Sequence, residues 1–231
     1  MSAAPGRAGP PPDGRPGGRF ITLEGGEGAG KSTQALRLAG SLAAAGLPVL
    51  RTREPGGAPG AEALRAVLLG RGPSEPWDPV TEALLHFAAR REHLAHTLRP
   101  ALAAGIWVVC DRFLDSTVAY QCFGQGVPRA LVDGLAALTL DGLRPDLTLV
   151  LDLPPAIGLG RVATRGGADR YERMPDATHE RIRAGFRAIA AAEPERCELV
   201  EAARPPDVVA ASLREAVGRR LGVPLVDPLP A

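Results

Sequence analysis

Short apolar runs alternate with longer segments of helical periodicity along most of this chain. The apolar runs predict strands at residues 19–24, 48–52, 106–110, 147–151 and 198–200. Apolar residues that recur three and four positions apart predict helices at residues 31–45, 61–69, 79–104, 128–140, 155–164, 176–192 and 206–221. This alternation is typical of a parallel sheet covered by helices, so we expect a single α/β domain.

The polar segments of greatest interest directly follow predicted strands. Residues 24–32 follow the first strand, residues 53–57 the second and residues 111–112 the third. Ligands of open parallel sheets bind outside the carboxyl ends of the strands. We therefore expect these three segments to meet in one site.

Residues 25–32 read GGEGAGKS, which fits the phosphate-loop pattern G-x-x-x-x-G-K-[ST]. Glycines permit backbone conformations in which successive N–H groups point at phosphate oxygens, and the following helix adds its positive N-terminal end. In this pattern Lys31 reaches the β- and γ-phosphates and the Ser32 hydroxyl ligates Mg²⁺. The loop predicts a nucleotide site formed by Gly25, Gly26, Glu27, Gly28, Ala29, Gly30, Lys31, Ser32 and Thr33.

Two further segments at the strand ends suit phosphate chemistry. Asp111 ends an apolar strand, where phosphate-loop enzymes place an acidic residue near Mg²⁺, although a helix N-cap uses the same residue type. The planar guanidinium of the adjacent Arg112 matches a phosphate group. Arg53 follows another strand, and Pro55 restricts the backbone close to it, which favours a defined direction for the arginine. An ordinary surface turn with a solvated arginine is the alternative for Arg53.

Aromatic and cationic side chains share faces of the predicted helix at 79–104. His86 lies one turn before Arg90, and Phe87 lies one turn before Arg91. A ring that stacks and an arginine that binds a base edge would suit a nucleobase. A core position for Phe87 and a solvated position for Arg91 are the alternatives.

An arginine-rich segment at about 161–174 is interrupted by two glycines, Gly166 and Gly167. Glycines at a helix end allow movement, so Arg161, Arg165 and Arg170 are candidates for a lid that closes over transferring phosphates. A solvated basic helix end is the alternative.

Composition narrows the class of protein. The 231 residues have a formal net charge of +1, which gives no electrostatic case for a nucleic-acid or membrane partner. The three cysteines lack metal-site or disulfide spacing, and no run of about eighteen apolar residues occurs, so we expect a cytoplasmic protein. Residues 1–18, rich in Pro and Gly, are expected to form a disordered extension, and residues 223–231 a Pro-rich tail.

Seven stretches, in order along the chain, resemble thymidylate kinases (dTMP kinases) among the P-loop nucleoside monophosphate kinases. They are residues 21–33, 52–57, 87–90, 111–113, 116–121, 144–149 and 169–172. The resemblance implies a three-layer P-loop kinase fold over residues 19–222, with a five-stranded parallel sheet, helices on both faces and a lid at about 161–174. It also implies transfer of the γ-phosphoryl group of ATP to dTMP with Mg²⁺, by a homodimer.

The resemblance assigns roles residue by residue. The phosphate loop would hold ATP, and Glu27 would lie near the acceptor sugar and the metal. Arg53 and Arg112 would face the dTMP phosphate, Asp111 would lie near Mg²⁺, and Arg90 would contact thymine. Ser116, Thr117 and Tyr120 would complete the dTMP site. Catalysis would fall to Lys31 and Asp111 with the lid arginines Arg161, Arg165 and Arg170, since Gly28 after the acidic loop residue marks the bacterial type.

One position departs from the family pattern. Four residues before Arg90, where the family often has an aromatic ring that stacks on thymine, this chain has His86, with Phe87 next. A helix turns about 100° per residue, so both rings cannot face the base squarely. Either ring would serve, and we favour Phe87.

Three other functions fit parts of the sequence. Another nucleoside monophosphate or deoxynucleoside kinase would share the loop and the lid. A nucleotide-binding switch would share the loop, but the chain has no N-K-x-D stretch for guanine. An inactive interaction module is disfavoured because Lys31, Ser32 and Asp111 are all present.

Overall fold

The computed structural model describes residues 17–71, 75–165 and 170–227, with the side chain of Arg165 left out. Most of the extension expected at 1–18, residues 166–169 of the expected lid and the last residues of the expected tail therefore lie outside the described residues.

Five strands form one parallel sheet, as the alternating pattern predicts. The strands are β1 (Phe20–Glu24), β2 (Val49–Arg53), β3 (Trp107–Asp111), β4 (Leu147–Asp152) and β5 (Cys197–Glu201). Their order is β2-β3-β1-β4-β5, so β1 lies at the centre, and each observed strand overlaps its prediction.

Helices lie between the strands along the chain. The described helices are α1 (Lys31–Ala44), α2 (Pro59–Leu69), α3 (Pro79–His93), α4 (Arg99–Ala103), α5 (Leu114–Thr117), α6 (Arg129–Thr139), α7 (Pro155–Arg165), α8 (Asp176–Ala192) and α9 (Pro206–Leu221). None of these helices is both long and apolar enough to cross a membrane.

The core lies on both faces of the sheet, because neighbouring strand residues point to opposite sides. Ile21 and Leu23 of β1 belong to a cluster with buried residues of α1 and α9. Phe20 belongs to a second cluster on the other face, where its ring meets that of Phe113 edge to face. The helices therefore cover both faces, and the expected three-layer architecture is confirmed.

Two helical regions differ from the predicted elements. The expected helix at 79–104 is divided by a π-helical turn at Leu94–Leu98, just before Pro100. Proline has no N–H for the regular helical ladder, and the wider turn accommodates the lost hydrogen bond. The short helix α5 and the π-helical turn Val118–Gly124 were not predicted, since a four-residue helix is too short to establish a period.

Strand register brings the three predicted loops together. Asp111 at the end of β3 is opposite Leu23 of β1 and Arg53 of β2. The carboxyl ends of three adjacent strands thus meet at one edge of the sheet. The phosphate loop, the Arg53 turn and the Asp111–Arg112 turn all begin there, as ligand loops of a parallel sheet do.

Candidate active site

A cavity of about 360 Å³ lies over the carboxyl ends of these strands. Most of the predicted site residues line it, and they come from every predicted segment. These residues are Glu27, Gly28, Gly30, Lys31, Ser32, Thr33, Arg53, His86, Arg90, Asp111, Arg112, Ser116, Thr117, Tyr120 and Arg161. Gly25, Gly26, Ala29, Phe87 and Arg170 do not line the cavity.

The phosphate loop has the conformation that its glycines predict. Gly28 (φ 66°) and Gly30 (φ 88°) are left-handed, and a side chain on Gly28 would collide with the carbonyl oxygen of Gly158. Lys31 Nζ donates to the carbonyl oxygens of Gly25 (3.0 Å) and Gly26 (2.7 Å), which holds the ammonium against the loop. Burial and the charge of Arg112 lower the pKa of Lys31 to about 8.

Ser32 and Asp111 form a pair of oxygen ligands beside the loop. The Ser32 hydroxyl donates to Asp111 Oδ2 at 2.5 Å. Among residues 17–71, 75–165 and 170–227, no group of three or more His, Cys, Asp or Glu side chains is placed to hold a metal ion. Mg²⁺ in phosphate sites needs no such group, because one or two protein oxygens suffice when phosphates and water supply the rest. The pair fits Mg²⁺ of that kind.

Arg112 is fixed at the middle of the cavity by several acceptors. Its backbone is left-handed (φ 72°), and its guanidinium contacts Glu27 Oε1 (2.8 Å), Tyr120 Oη (3.0 Å) and Ser116 Oγ (3.2 Å). Burial raises the pKa of Glu27, but the charges of Arg112 and Lys31 outweigh it and lower that pKa to about 2. An arginine and a carboxylate, both charged, therefore face the cavity together.

Arg90 is a buried residue of the cavity lining, and one of its nitrogens has no acceptor among the described residues. Its side chain is 2% exposed, and Nε donates to Glu54 Oε2 at 2.7 Å. Nη2 donates to the carbonyl oxygen of Phe113 and to Thr117 Oγ1, each at 3.0 Å. Nη1 is buried and finds no hydrogen-bond acceptor among the described residues. Since buried donors are nearly always paired, this atom marks a place for a ligand acceptor.

Comparison with known proteins agrees with this geometry. A model of the family described as thymidylate kinase matches residues 23–213. The chain belongs to the thymidylate kinase family. It is 52% identical over 206 residues to a thymidylate kinase of Caulobacter vibrioides, which covers 89% of this chain and 99% of that protein.

Other thymidylate kinases are similar over the same length. The thymidylate kinase of Gluconobacter oxydans is 52% identical over 209 residues, covering 89% of this chain and 97% of that one. The crystal structure of thymidylate kinase from Ehrlichia chaffeensis superposes with a TM-score of 0.71 at 34% identity, covering 87% of this chain and 99% of that one.

Of the two rings that the sequence offered for stacking on a base, the one at the cavity is that of His86. His86 lines the cavity and its Nε2 lies 2.8 Å from Tyr171 Oη. Phe87 is 2% exposed and belongs to a core cluster with Val118, Val150 and other buried residues. This placement corrects our preference for Phe87, because helix rotation turns that ring into the core and leaves His86 at the cavity.

The predicted lid arginines of this thymidylate kinase family member lie in different environments. Arg161 lines the cavity, and its guanidinium donates to the carbonyl oxygens of Gly28 (3.3 Å) and Ala202 (3.4 Å). Arg170 instead pairs with Glu82, a wholly buried residue of α3, and its side chain is 9% exposed. In this arrangement the charge of Arg170 is paired away from the cavity, and its catalytic role stays a prediction. The side chain of Arg165 lies outside the described residues.

Several residues at the site were not assigned from the sequence. Glu54 holds Arg90, Glu24 holds the Asp111–Arg112 turn, and Tyr171 contacts His86. All three lie inside motifs that the thymidylate kinase resemblance covers, but the partner of each is more than thirty residues away in the chain. Their roles became visible only in the fold.

Glu24 is a buried carboxyl group at the end of β1. Its oxygens accept from the backbone N–H of Phe113 (2.7 Å) and from Ser116 Oγ (2.5 Å). Burial and the charge of Asp115 raise the pKa of Glu24 from 4.5 to about 7. The folded protein therefore binds a proton here more tightly than the unfolded chain does.

This proton makes a contribution to stability that falls with rising pH. Between pH 4.5 and 7 the unfolded chain has lost the Glu24 proton while the folded protein keeps it, so Glu24 lowers the free energy of unfolding across that range, whereas His86, whose pKa burial lowers to about 3, raises it up to about pH 6.5. Glu24→Gln stays neutral and leaves His86 in place, so we expect the difference in the free energy of unfolding between the wild type and Glu24→Gln, measured by urea unfolding, to fall across that range. Parallel pH dependence in the two proteins would contradict the assignment.

Proposed function

We propose that this protein transfers the γ-phosphoryl group of ATP to dTMP, giving dTDP and ADP. The observation that carries the proposal is the buried Arg90, which lines the same cavity as the phosphate loop and keeps Nη1 without an acceptor among the described residues. A phosphate loop alone binds a donor nucleotide, whereas Arg90 offers a further place for an acceptor base. Membership of the thymidylate kinase family supports the same acceptor.

The donor side of the proposed reaction uses the phosphate loop. Lys31 would turn its ammonium from the carbonyl oxygens of Gly25 and Gly26 to the β- and γ-phosphates of ATP. Arg161 lies against the loop at Gly28 and would stabilise charge that develops on the transferring group. Arg165 is proposed for the same task on the sequence resemblance.

The acceptor side uses charged and uncharged groups for different parts of dTMP. Arg112 and Arg53 would bind the acceptor phosphate, for which Arg53 would exchange its exposed partner Glu62. Glu27 and Tyr120 would lie beside the sugar. Arg90 Nη1 would donate to a carbonyl oxygen of the base, with Thr117 holding the other guanidinium nitrogen.

We further propose that Ser32 and Asp111 supply the protein oxygens that bind Mg²⁺, which when bound neutralises phosphate charge.

We also propose that the protein is a homodimer. The family resemblance supports this state, as do the exposed apolar side chains of α2, α3 and α6, in which α3 packs against both of the other helices. Light scattering of the full chain would test this state, and a mass of 24.0 kDa would contradict it.

An acceptor panel tests the proposed reaction. We expect dTMP to give the highest kcat/KM among dTMP, dUMP, AMP and thymidine. Arg90 suits a pyrimidine carbonyl, which AMP lacks, and Arg112 suits a phosphate, which thymidine lacks, while the preference over dUMP follows from membership of the thymidylate kinase family. The measurement is nucleotide product formation with ATP, with and without Mg²⁺. A preference for AMP would indicate another nucleoside monophosphate kinase, and ATP hydrolysis without any phosphorylated acceptor would indicate a switch.

A further inference from the structure

Tyr171, which lies within the segment predicted as the lid, is part of the wall of the cavity. It lines the cavity beside His86, and its hydroxyl oxygen lies 2.8 Å from His86 Nε2 and 2.9 Å from Glu82 Oε1. The two rings are tilted by 46°. A hydroxyl group therefore connects the residue at the base position to a carboxylate beneath it.

Glu82 is held in a fully buried site by donors alone. Its side chain is 0% exposed and accepts from Arg170 Nη2 and Tyr171 Oη, from Gln121 Nε2 (2.8 Å) and from Gln125 Nε2 (3.1 Å). Both oxygens of Glu82 already accept hydrogen bonds from arginine and amide N–H groups, which can only donate. The Tyr171 hydroxyl must therefore donate its single proton to Glu82.

This proton assignment determines the state of His86. Because the Tyr171 proton is directed at Glu82, the hydroxyl oxygen accepts from His86, so Nε2 carries the imidazole proton. Burial and the charges of Arg90 and Arg170 lower the pKa of His86 to about 3, so the ring is neutral and Nδ1 is unprotonated. One tautomer of His86 is selected.

The same bond fixes the plane of the ring. The χ2 torsion of histidine is broad, so an imidazole without a partner samples a range of orientations. A ring that is already oriented loses less conformational freedom when a ligand packs against it. The hydroxyl of Tyr171 supplies that orientation from outside α3.

We propose that Tyr171 is a positioning residue for the acceptor base: its hydroxyl holds the His86 imidazole in one orientation and one tautomer, so that a residue 85 positions away in the chain contributes to acceptor binding. The inference rests on the proposed function, which places the acceptor base against His86. Tyr171 acts through His86 and takes no part in phosphoryl transfer.

Tyr171→Phe removes the hydroxyl and keeps the ring. We expect the KM and the calorimetric Kd for dTMP to rise by about three- to tenfold, the worth of one buried hydrogen bond, with a smaller change in kcat. The matched background is His86→Phe, which has no ring nitrogen to orient. In that background Tyr171→Phe should raise the Kd no further, whereas an equal rise in both backgrounds would overturn the proposal.

A second measurement needs no turnover. Nitrogen NMR of the four histidines, with His86 assigned by its loss in His86→Phe, should show a neutral ring protonated on Nε2 in the wild-type protein and a mixture of tautomers in Tyr171→Phe. A wild-type ring protonated on Nδ1 would overturn the proposal even if Tyr171→Phe failed to fold. A protein with the expected tautomer that ignores dTMP would instead refute the proposed function.

Discussion

Replacing Lys31 by alanine is expected to lower kcat by about 10²- to 10³-fold with the fold retained. Lys31 holds its ammonium against two carbonyl oxygens of the phosphate loop and is only 7% exposed, so water does not replace the charge that the variant loses. In a site that excludes water, a charge already held in place stabilises the negative charge of the transition state, and no groups have to rearrange during the reaction. Steady-state kinetics with saturating ATP and dTMP measure the effect.

A control on the same helix separates catalysis from general electrostatics. Arg37→Ala removes the same charge from α1, but Arg37 pairs with Asp207 on the surface. We expect its kcat to stay close to that of the wild type. A folded Lys31→Ala protein with near-normal turnover would refute the role assigned to the phosphate loop.

Replacing Arg90 by leucine is expected to lower the free energy of unfolding by about 3 kcal/mol. The guanidinium and Glu54 form an ion pair in which both side chains are almost fully buried, so the variant leaves a carboxylate in the core with one partner, His93, at 3.0 Å. The cost of an unpaired buried charge exceeds the gain from an apolar side chain. Urea unfolding at neutral pH measures the difference.

The adjacent residue provides the comparison for Arg90. Arg91 pairs with Asp141 at the surface, and Arg91→Leu should change the free energy of unfolding by less than about 1 kcal/mol. Adding Glu54→Gln to Arg90→Leu should recover part of the loss, because the charge is then removed. If Arg90→Leu and Arg91→Leu lowered the free energy of unfolding equally, the buried ion pair would contribute no more to stability than the surface pair, which would contradict the prediction.

The elements of the fold were predictable because apolar periodicity is a local property. The central strands β1, β3 and β4 are short, mostly apolar runs, and α8 and α9 begin and end at their predicted residues. The π-helical turn at Leu94–Leu98 could not be predicted, since it leaves the apolar pattern almost unchanged. The phosphate loop was predictable from residue identity and not from periodicity, because its backbone conformation requires glycines at fixed positions.

The partners of the site residues were not predictable from one sequence. His86 and Phe87 are adjacent, and only the rotation of α3 against its neighbours decides which ring meets the cavity. Arg170 is one of several arginines in a basic segment, and its buried partner Glu82 is 88 residues away in the chain. Such pairs depend on tertiary packing, which leaves no local signal.

The register of the sheet also sets the spacing between the two halves of the site. Leu23 and Arg53 are both opposite Asp111, so the strands that carry the phosphate loop and the Arg53 turn lie on either side of β3. Two strand intervals amount to about 10 Å. The interval is a property of continuous backbone hydrogen bonding, and the lid has no part in it. Lid segments exchanged between relatives should therefore alter rates while leaving this spacing unchanged.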